Sequence, residues 1–154
     1  MADWDFYQAN VNEKIASIYL DLDAQSDLDP GTYSMLCWLF IRLKVERADG
    51  LSHEDEFDVL CDYEDRLDEH LKNEKIEMVG RVTTDGMRQF YFYSAPNFAF
   101  ESSVKKFVST YSSYQYQFGC IPDPDWSQYE NVLYPGEHGL DQINERRENA
   151  GRKP

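Results

Sequence analysis

Apolar and polar positions alternate most clearly on either side of Asp85 and Gly86, where two stretches rich in β-branched and aromatic residues meet. Positions 76–84 and 87–94 are therefore predicted to be strands. Asp-Gly is the dipeptide that a tight type I′ turn favours, because both central residues of that turn take positive φ. The pattern predicts a β-hairpin closed at these two residues.

Further strands are predicted before and after this hairpin. An aromatic stretch at 4–8 and an apolar stretch at 15–20 are predicted to pair as an N-terminal hairpin. Residues 33–45 are apolar on both faces in the middle of the stretch, which predicts a strand near the centre of a sheet. Residues 114–121 alternate and are followed by Pro122, which predicts a half-exposed strand.

Helical periodicity appears in four places. Residues 53–71 form the clearest helix, and Ser52 is placed to cap its N-terminus. A second helix is predicted to open at Pro96-Asn97, and shorter helices at 126–134 and 140–148. The positions expected on the inner face of the first helix are Phe57, Leu60, Cys61, Glu64, Leu67 and Leu71.

From residue 33 the order of elements is strand, helix, strand, strand, helix, strand, which is the split βαββαβ order of ferredoxin-like domains. We therefore predict an α+β fold with a ferredoxin-like core, an added N-terminal β-hairpin and C-terminal helices. The chain is interpreted as one domain over 1–154. Within it, 1–32 would be the hairpin extension, 33–121 the core, and 122–154 the C-terminal helices and a basic tail.

Composition narrows the function classes. The 154 residues are 42% hydrophobic and 15% aromatic, so the strong acidity does not indicate disorder. A net charge of −14 disfavours direct nucleic-acid binding and suits a basic protein partner, although solubility alone also explains it. No apolar run is long enough to span a bilayer, and the first residues lack the features of a signal peptide, so we expect a cytoplasmic protein without membrane association.

Motifs for catalysis or cofactor binding are absent from the sequence. Cys37, Cys61 and Cys120 are an odd number without a metal-binding spacing, and we expect all three to lie in the core as apolar side chains. Neither a nucleophile motif nor a phosphate-binding glycine loop is present. The histidines lie far apart, and the acidic loop after Asp21 lacks the glycine and glutamate of a calcium loop. We predict no enzyme activity, no cofactor and no metal site.

Acidic residues are concentrated in the predicted helix at 53–71, and this is the strongest indication of an interaction surface. An acidic helix face can attract and orient a basic partner, but such a face can also be merely solvated. The candidate partner-binding residues on its outer stripe are Glu54, Asp55, Asp58, Asp62, Asp65 and Glu69.

A second candidate site surrounds the hairpin. Arg81, Asp85 and Arg88, together with Trp4, could line a pocket for a small anion, which would make the protein a small-molecule binding protein or an enzyme. Turn geometry and ion pairing on the sheet surface explain the same residues without a ligand. The pocket hypothesis requires these four side chains to converge.

The chain carries several short motifs that point to a family: Trp4-x-Phe6-Tyr7, Asp49-Gly50-Leu51, Gly80-Arg81-x-Thr83-Thr84-x-Gly86-x-Arg88, Phe90-Tyr91-Phe92-Tyr93, Pro122-Asp123-Pro124-x-Trp126 and Leu133-Tyr134-Pro135. Together they resemble a bacterial domain-of-unknown-function family, number six-nine-five. The family carries no established activity, so the resemblance implies no reaction.

The C-terminal half is also similar in element order and acidity to the family of regulator of ribonuclease E activity B. That resemblance implies a ferredoxin-like protein that inhibits an RNA-degrading enzyme by binding it. With the acidic helix, it leads us to expect a binding module that inhibits or regulates a basic protein such as a nuclease or a toxin. A homodimer formed through sheet edges or faces is compatible with this function.

Overall fold

The computed structural model describes residues 1–96, 99–111 and 114–151 of the chain. Within these residues, six strands form a single antiparallel sheet, and their order across it is β1-β2-β4-β5-β3-β6. The strands are β1 (Trp4–Val11), β2 (Lys14–Asp21), β3 (Met35–Arg42), β4 (Ile76–Thr84), β5 (Met87–Ser94) and β6 (Tyr116–Pro122). With the helices below, the fold is α+β, as predicted.

Helices connect and cover the strands. They are α1 (Ala24–Asp27), a 3-10 turn (Glu54–Glu56), α2 (Phe57–Lys72), α3 (Ala99–Tyr111), a π-helical turn (Tyr129–Leu133) and α4 (Glu137–Gly151). The prediction that Ser52 caps the first helix is wrong, because the ring Nδ1 of His53 accepts the backbone N–H of Asp55 at 3.0 Å. The predicted helix start at Asn97 lies outside the described residues. In the part of the chain that the structure describes, no helix has the length and apolar character needed to cross a membrane.

The β4–β5 hairpin has the predicted boundaries and turn. Asp85 has φ 51° and Gly86 has φ 77°, as a type I′ turn requires. The turn packs on a second turn at Gly50, whose carbonyl accepts the N–H of Gly86 at 2.8 Å. The Gly86 carbonyl in turn accepts the N–H of Leu43 at 2.9 Å. A backbone hydrogen bond therefore joins two turns that are distant in sequence.

Helices α2 and α3 cover one face of the sheet. Their apolar stripes pack on the side chains of β3 and β5 that point to that face, and aromatic contacts tie the layer together, such as Tyr63 against Phe90 and Phe107. The core residues contributed by α2 are Leu60, Tyr63, Leu67 and Leu71. The inner face of α2 therefore differs from the predicted one, since Phe57 and Cys61 are exposed.

The C-terminal segment covers the opposite face. Trp126 is fully buried and stacks on Tyr93 of β5 with ring centroids 4.0 Å apart. Tyr129, Leu133 and Ile143 join the same apolar cluster, which also contains the inward residues of β2. Strand β5 thus lies between two apolar layers, and all residues from Phe90 to Ser94 are buried.

Two further expectations are corrected here. Strand β3 lies next to the edge strand β6, while β4 and β5 occupy the middle of the sheet. The core location predicted for the cysteines holds for Cys37, whereas Cys61 and Cys120 are exposed, and all three thiols are free. Helical and strand periodicity could not place them, because α2 is rotated from the predicted orientation and β6 is an edge strand.

Replacing Gly50 with alanine is expected to destabilise the protein more than replacing Gly86. Both residues have φ of 77°, so both substitutions incur the left-handed strain of roughly 1–2 kcal/mol. A Cβ at Gly50 would also lie 2.8 Å from the backbone nitrogen of Asp85, whereas a Cβ at Gly86 meets nothing within 4 Å. Urea unfolding should give Gly50→Ala a loss larger by roughly 1–3 kcal/mol. Equal losses would contradict the backbone-to-backbone packing of the two turns.

Candidate protein-docking surface

The outer side of α2 carries a continuous acidic surface. Positions 58, 62, 65 and 69 share one face of a helix, and Leu60, Leu67 and Leu71 lie on the opposite, buried face. The 3-10 turn extends the surface toward the N-terminus. We call this surface the acid face, and all of its six residues are exposed: Glu54, Asp55, Asp58, Asp62, Asp65 and Glu69.

Apolar side chains flank the acid face. Phe57 is 63% exposed and Val59 is 53% exposed. Val59 also lines an open groove of about 470 Å³ between α2 and α3. Arg66 also lines this groove, where it pairs with Asp62 at 2.9 Å and donates to the Tyr111 hydroxyl at 3.2 Å. The surface thus combines negative charge with apolar contact area.

Glu56 anchors the beginning of α2 to the rest of the fold. Its buried carboxylate accepts the backbone N–H of Val45 at 2.8 Å and of Lys44 at 3.1 Å, and the hydroxyl of Tyr114 at 2.6 Å. Burial alone would raise the pKa of Glu56, but these donors outweigh burial and hold the pKa below its ordinary value of 4.5. The sequence pattern did not distinguish this buried acid from its exposed neighbours.

Burial, and after it neighbouring negative charge, raises the pKa of two carboxyl groups beside the acid face. Partial burial raises the pKa of Asp68, with Glu64 and Asp65 adding to the rise and Lys72 opposing it. Partial burial likewise raises the pKa of Glu77, and Asp68 adds to that rise. A cation placed near this side of α2 would relieve part of this repulsion.

Two of the four residues predicted to surround the hairpin, Trp4 and Arg81, contact the same ring, that of Tyr19. Trp4 stacks on the Tyr19 ring at 4.9 Å, and the guanidinium of Arg81 lies over the same ring at 4.5 Å. Arg81 also forms a short ion pair with Glu64 of α2. The charge of Arg81 is therefore already matched by a carboxylate.

Arg88 and Asp85 occupy different environments. Arg88 is buried beneath α2, where it donates to the hydroxyls of Thr83 at 3.1 Å and Ser52 at 3.3 Å. Burial, with the positive charge of Arg81, lowers the pKa of Arg88 to about 10. Asp85 lies at the exposed tip of the hairpin, 3.9 Å from Lys14. The structure brings Arg81 and Arg88 to one face of the sheet but leaves Asp85 outside.

The structure also contains a cavity that the sequence pattern did not indicate. It has a volume of about 480 Å³ and lies between the sheet and the C-terminal segment. Strand residues Phe40, Val82 and Tyr91 form part of its wall, and Gln128 and Val132 close it from the other side. In the described ranges, no group of three or more His, Cys, Asp or Glu residues could hold a metal ion.

Comparison with known proteins identifies the family. The profile of a family of unknown function, DUF695, matches residues 2–134. The chain belongs to this family. No curated protein and no solved structure matches the chain, so the similarity of this DUF695 protein to regulator of ribonuclease E activity B remains a prediction.

Several DUF695 motif residues stabilise the fold. Asp123 accepts the Tyr93 hydroxyl at 2.7 Å and the backbone N–H groups of Ser127 and Gln128, and so begins the helical segment that covers the sheet. The Trp126 indole donates to the Tyr33 carbonyl at 2.8 Å. At the other end of this segment, the Leu133 carbonyl accepts a bond from the Tyr7 hydroxyl at 2.6 Å.

Replacing Glu56 with glutamine tests whether this carboxylate fixes the start of α2. At neutral pH we expect Glu56→Gln to lower the free energy of unfolding by roughly 1–3 kcal/mol, because bonds to an ionised acceptor are lost. The wild type should lose this extra free energy of unfolding as the pH falls from 4.5 through the lowered pKa of Glu56. The two stability curves, measured by urea unfolding, should therefore converge in acid.

The matched control is Glu54→Gln, since Glu54 is exposed two residues away. It should leave stability within about 0.5 kcal/mol of the wild type. A constant difference between wild type and Glu56→Gln at every pH would show that the ionised carboxylate is not the stabilising group.

Proposed function

We propose that this DUF695 protein is a non-catalytic binding module that docks a basic protein through the acid face of α2 and thereby inhibits or regulates it. A nuclease or a toxin is the kind of partner we expect, because both classes commonly carry basic surfaces that bind phosphate backbones or acidic targets. Direct nucleic-acid binding would oppose the net charge of −14.

The arrangement of the acid face is the observation that carries this proposal. Within the described residues, Asp58, Asp65 and Glu69 have no ion pair, so their charges are available to a partner. They lie on the side of α2 directed away from the core, and the anchored Glu56 holds the helix start in place. A rigid array of like charges favours rapid, oriented association with a basic surface.

The exposed apolar residues supply the other requirement of an interface. Charge steers association, whereas desolvated aromatic and aliphatic anchors commonly contribute most of the binding energy. Phe57 and Val59 adjoin Asp58 in the sequence, and both residues are more than half exposed. We therefore place the centre of the proposed interface near the first turn of α2.

We further propose that residues 33–121 form a ferredoxin-like core. The order β4-β5-β3-β6 and the placement of α2 and α3 on one face support this interpretation. The N-terminal hairpin would then extend the sheet beside β4. This core presents α2 on an outer layer, where a partner can reach it.

The anion-pocket alternative is less well supported by the geometry. Glu64 neutralises Arg81, and Arg88 is only 7% exposed, so an incoming anion would meet little accessible positive charge. We therefore prefer the docking function for this DUF695 protein.

Neutralising the acid face should weaken partner binding. Immobilised protein would capture a partner from the native lysate at low salt, and the affinity of the purified partner would then be measured at two salt concentrations. The variant Asp58→Asn, Asp62→Asn, Asp65→Asn, Glu69→Gln should lose roughly tenfold or more in affinity and much of the salt dependence.

A control variant with the same change in net charge separates the acid face from general acidity. It carries Glu13→Gln, Glu74→Gln, Asp141→Asn and Glu145→Gln, four exposed acids outside α2. This variant should bind within about twofold of the wild type at moderate salt. If both variants lose affinity equally, or neither does, docking through the acid face is wrong.

A further inference from the structure

The two edges of the sheet are protected very differently. At the β1 edge, the side-chain amide of Gln142 from α4 bonds both backbone groups of Gln8, donating at 3.0 Å and accepting at 2.9 Å. Arg146 donates to the Phe6 carbonyl and pairs with Asp5 at 3.0 Å. Helix α4 thus occupies backbone groups of Phe6 and Gln8 that another strand would need.

The described residues provide no such cover at the β6 edge. The Gln115 carbonyl accepts from Arg42 and the Asp123 N–H donates to Ser34, so the backbone groups of odd-numbered residues point toward β3. Because the groups alternate along a strand, those of Tyr116, Phe118 and Cys120 point outward. Within residues 1–96, 99–111 and 114–151, no group bonds them. Pro122 falls at the next outward position, where its missing N–H removes no sheet bond.

Apart from Pro122 at its C-terminal end, strand β6 lacks the other devices that prevent edge pairing. The strand Tyr116–Pro122 contains no charged residue, and its pairing with β3 runs without a bulge. Tyr116 is 42% exposed and Ile121 is 48% exposed, so apolar surface accompanies the open backbone. An uncharged, regular edge of this kind is suited to pairing with another strand.

We propose that β6 pairs antiparallel with β6 of a second copy of this chain, which joins the two sheets into one. A two-fold axis at Phe118 would place Tyr116 of each chain opposite Cys120 of the other. This register lets all three outward N–H groups of each strand meet an outward carbonyl. The interface is isologous, so the dimer closes and leaves no further β6 edge exposed.

Charge opposes self-association less at this edge than at the acid face. A chain of net charge −14 repels its own copies, and contact between two acid faces would add to this electrostatic repulsion. Helix α3 packs beside β6, whereas α2 packs over β4. Over Ala99–Tyr111, α3 carries Lys105 and Lys106 against one acid, Glu101. Pairing through β6 therefore joins two uncharged strands, each flanked by a helix with more basic than acidic residues, and keeps both acid faces open.

Sedimentation equilibrium of the purified chain tests the proposal. We expect a reversible dimer of twice 18.1 kDa. Cys120→Pro removes an outward N–H without removing a bond to β3, and it should weaken dimerisation at least tenfold. Cys120→Ser keeps that N–H and should dimerise within about twofold of the wild type. Circular dichroism and thermal unfolding would confirm that the proline variant remains folded.

Oxidative crosslinking tests the register independently. Residues in a hydrogen-bonded antiparallel pair have Cα atoms roughly 5.5 Å apart, within disulfide range. Tyr116→Cys should therefore form a covalent dimer with the native Cys120 of the second copy. The wild type and Gln117→Cys should not, because their thiols lie out of register or on the opposite sheet face.

Three results would overturn the proposal. The first is a monomer at every concentration up to the solubility limit. The second is a dimer that Cys120→Pro leaves unchanged, which would place the contact on another surface. The third is failure of Tyr116→Cys to crosslink more than Gln117→Cys. None of these results bears on the acid face, so the docking function would stand or fall separately.

Discussion

Burial of both faces of β5 is the constraint on which the other elements depend. Its residues Phe90 to Ser94 alternate sides and are all buried, so each face of the sheet needs its own apolar layer. Helices α2 and α3 supply one layer, and the segment containing Trp126 supplies the other. Placing that segment over the second face brings α4 alongside β1, where it can cap the edge.

The same arrangement determines which surfaces remain available. With α2 packed by one stripe and fixed at Glu56, its opposite stripe faces solvent as the acid face. Because α4 packs along β1, no described residue covers the outward backbone N–H and carbonyl groups of β6. The DUF695 motif residues Asp123 and Trp126 stabilise this scaffold. The proposed functions therefore reside on surfaces that these two motif residues do not form.

The candidate surface was predictable from the sequence in its charges but not in its apolar part. Spacing along α2 placed Asp58, Asp62 and Asp65 on one exposed face. Phe57 was expected in the core because its hydrophobicity and spacing suit that location. It is exposed because the helix buries the stripe centred on Leu60 and Leu67. Rotation of a helix about its axis is decided by the shape of the surface it packs on, which no local pattern encodes.

By itself, the sequence determined the α+β class, the type I′ hairpin at Asp85-Gly86 and the acidity of the first long helix. Each depends on neighbours in the chain: turn dihedrals, alternation of side chains and charge spacing. Only the tertiary structure decided that Gly50 packs on the hairpin turn, that Glu56 is buried, and that one sheet edge is capped while the other is open. These features join residues far apart in sequence, so packing and hydrogen-bond satisfaction across the whole fold determine them.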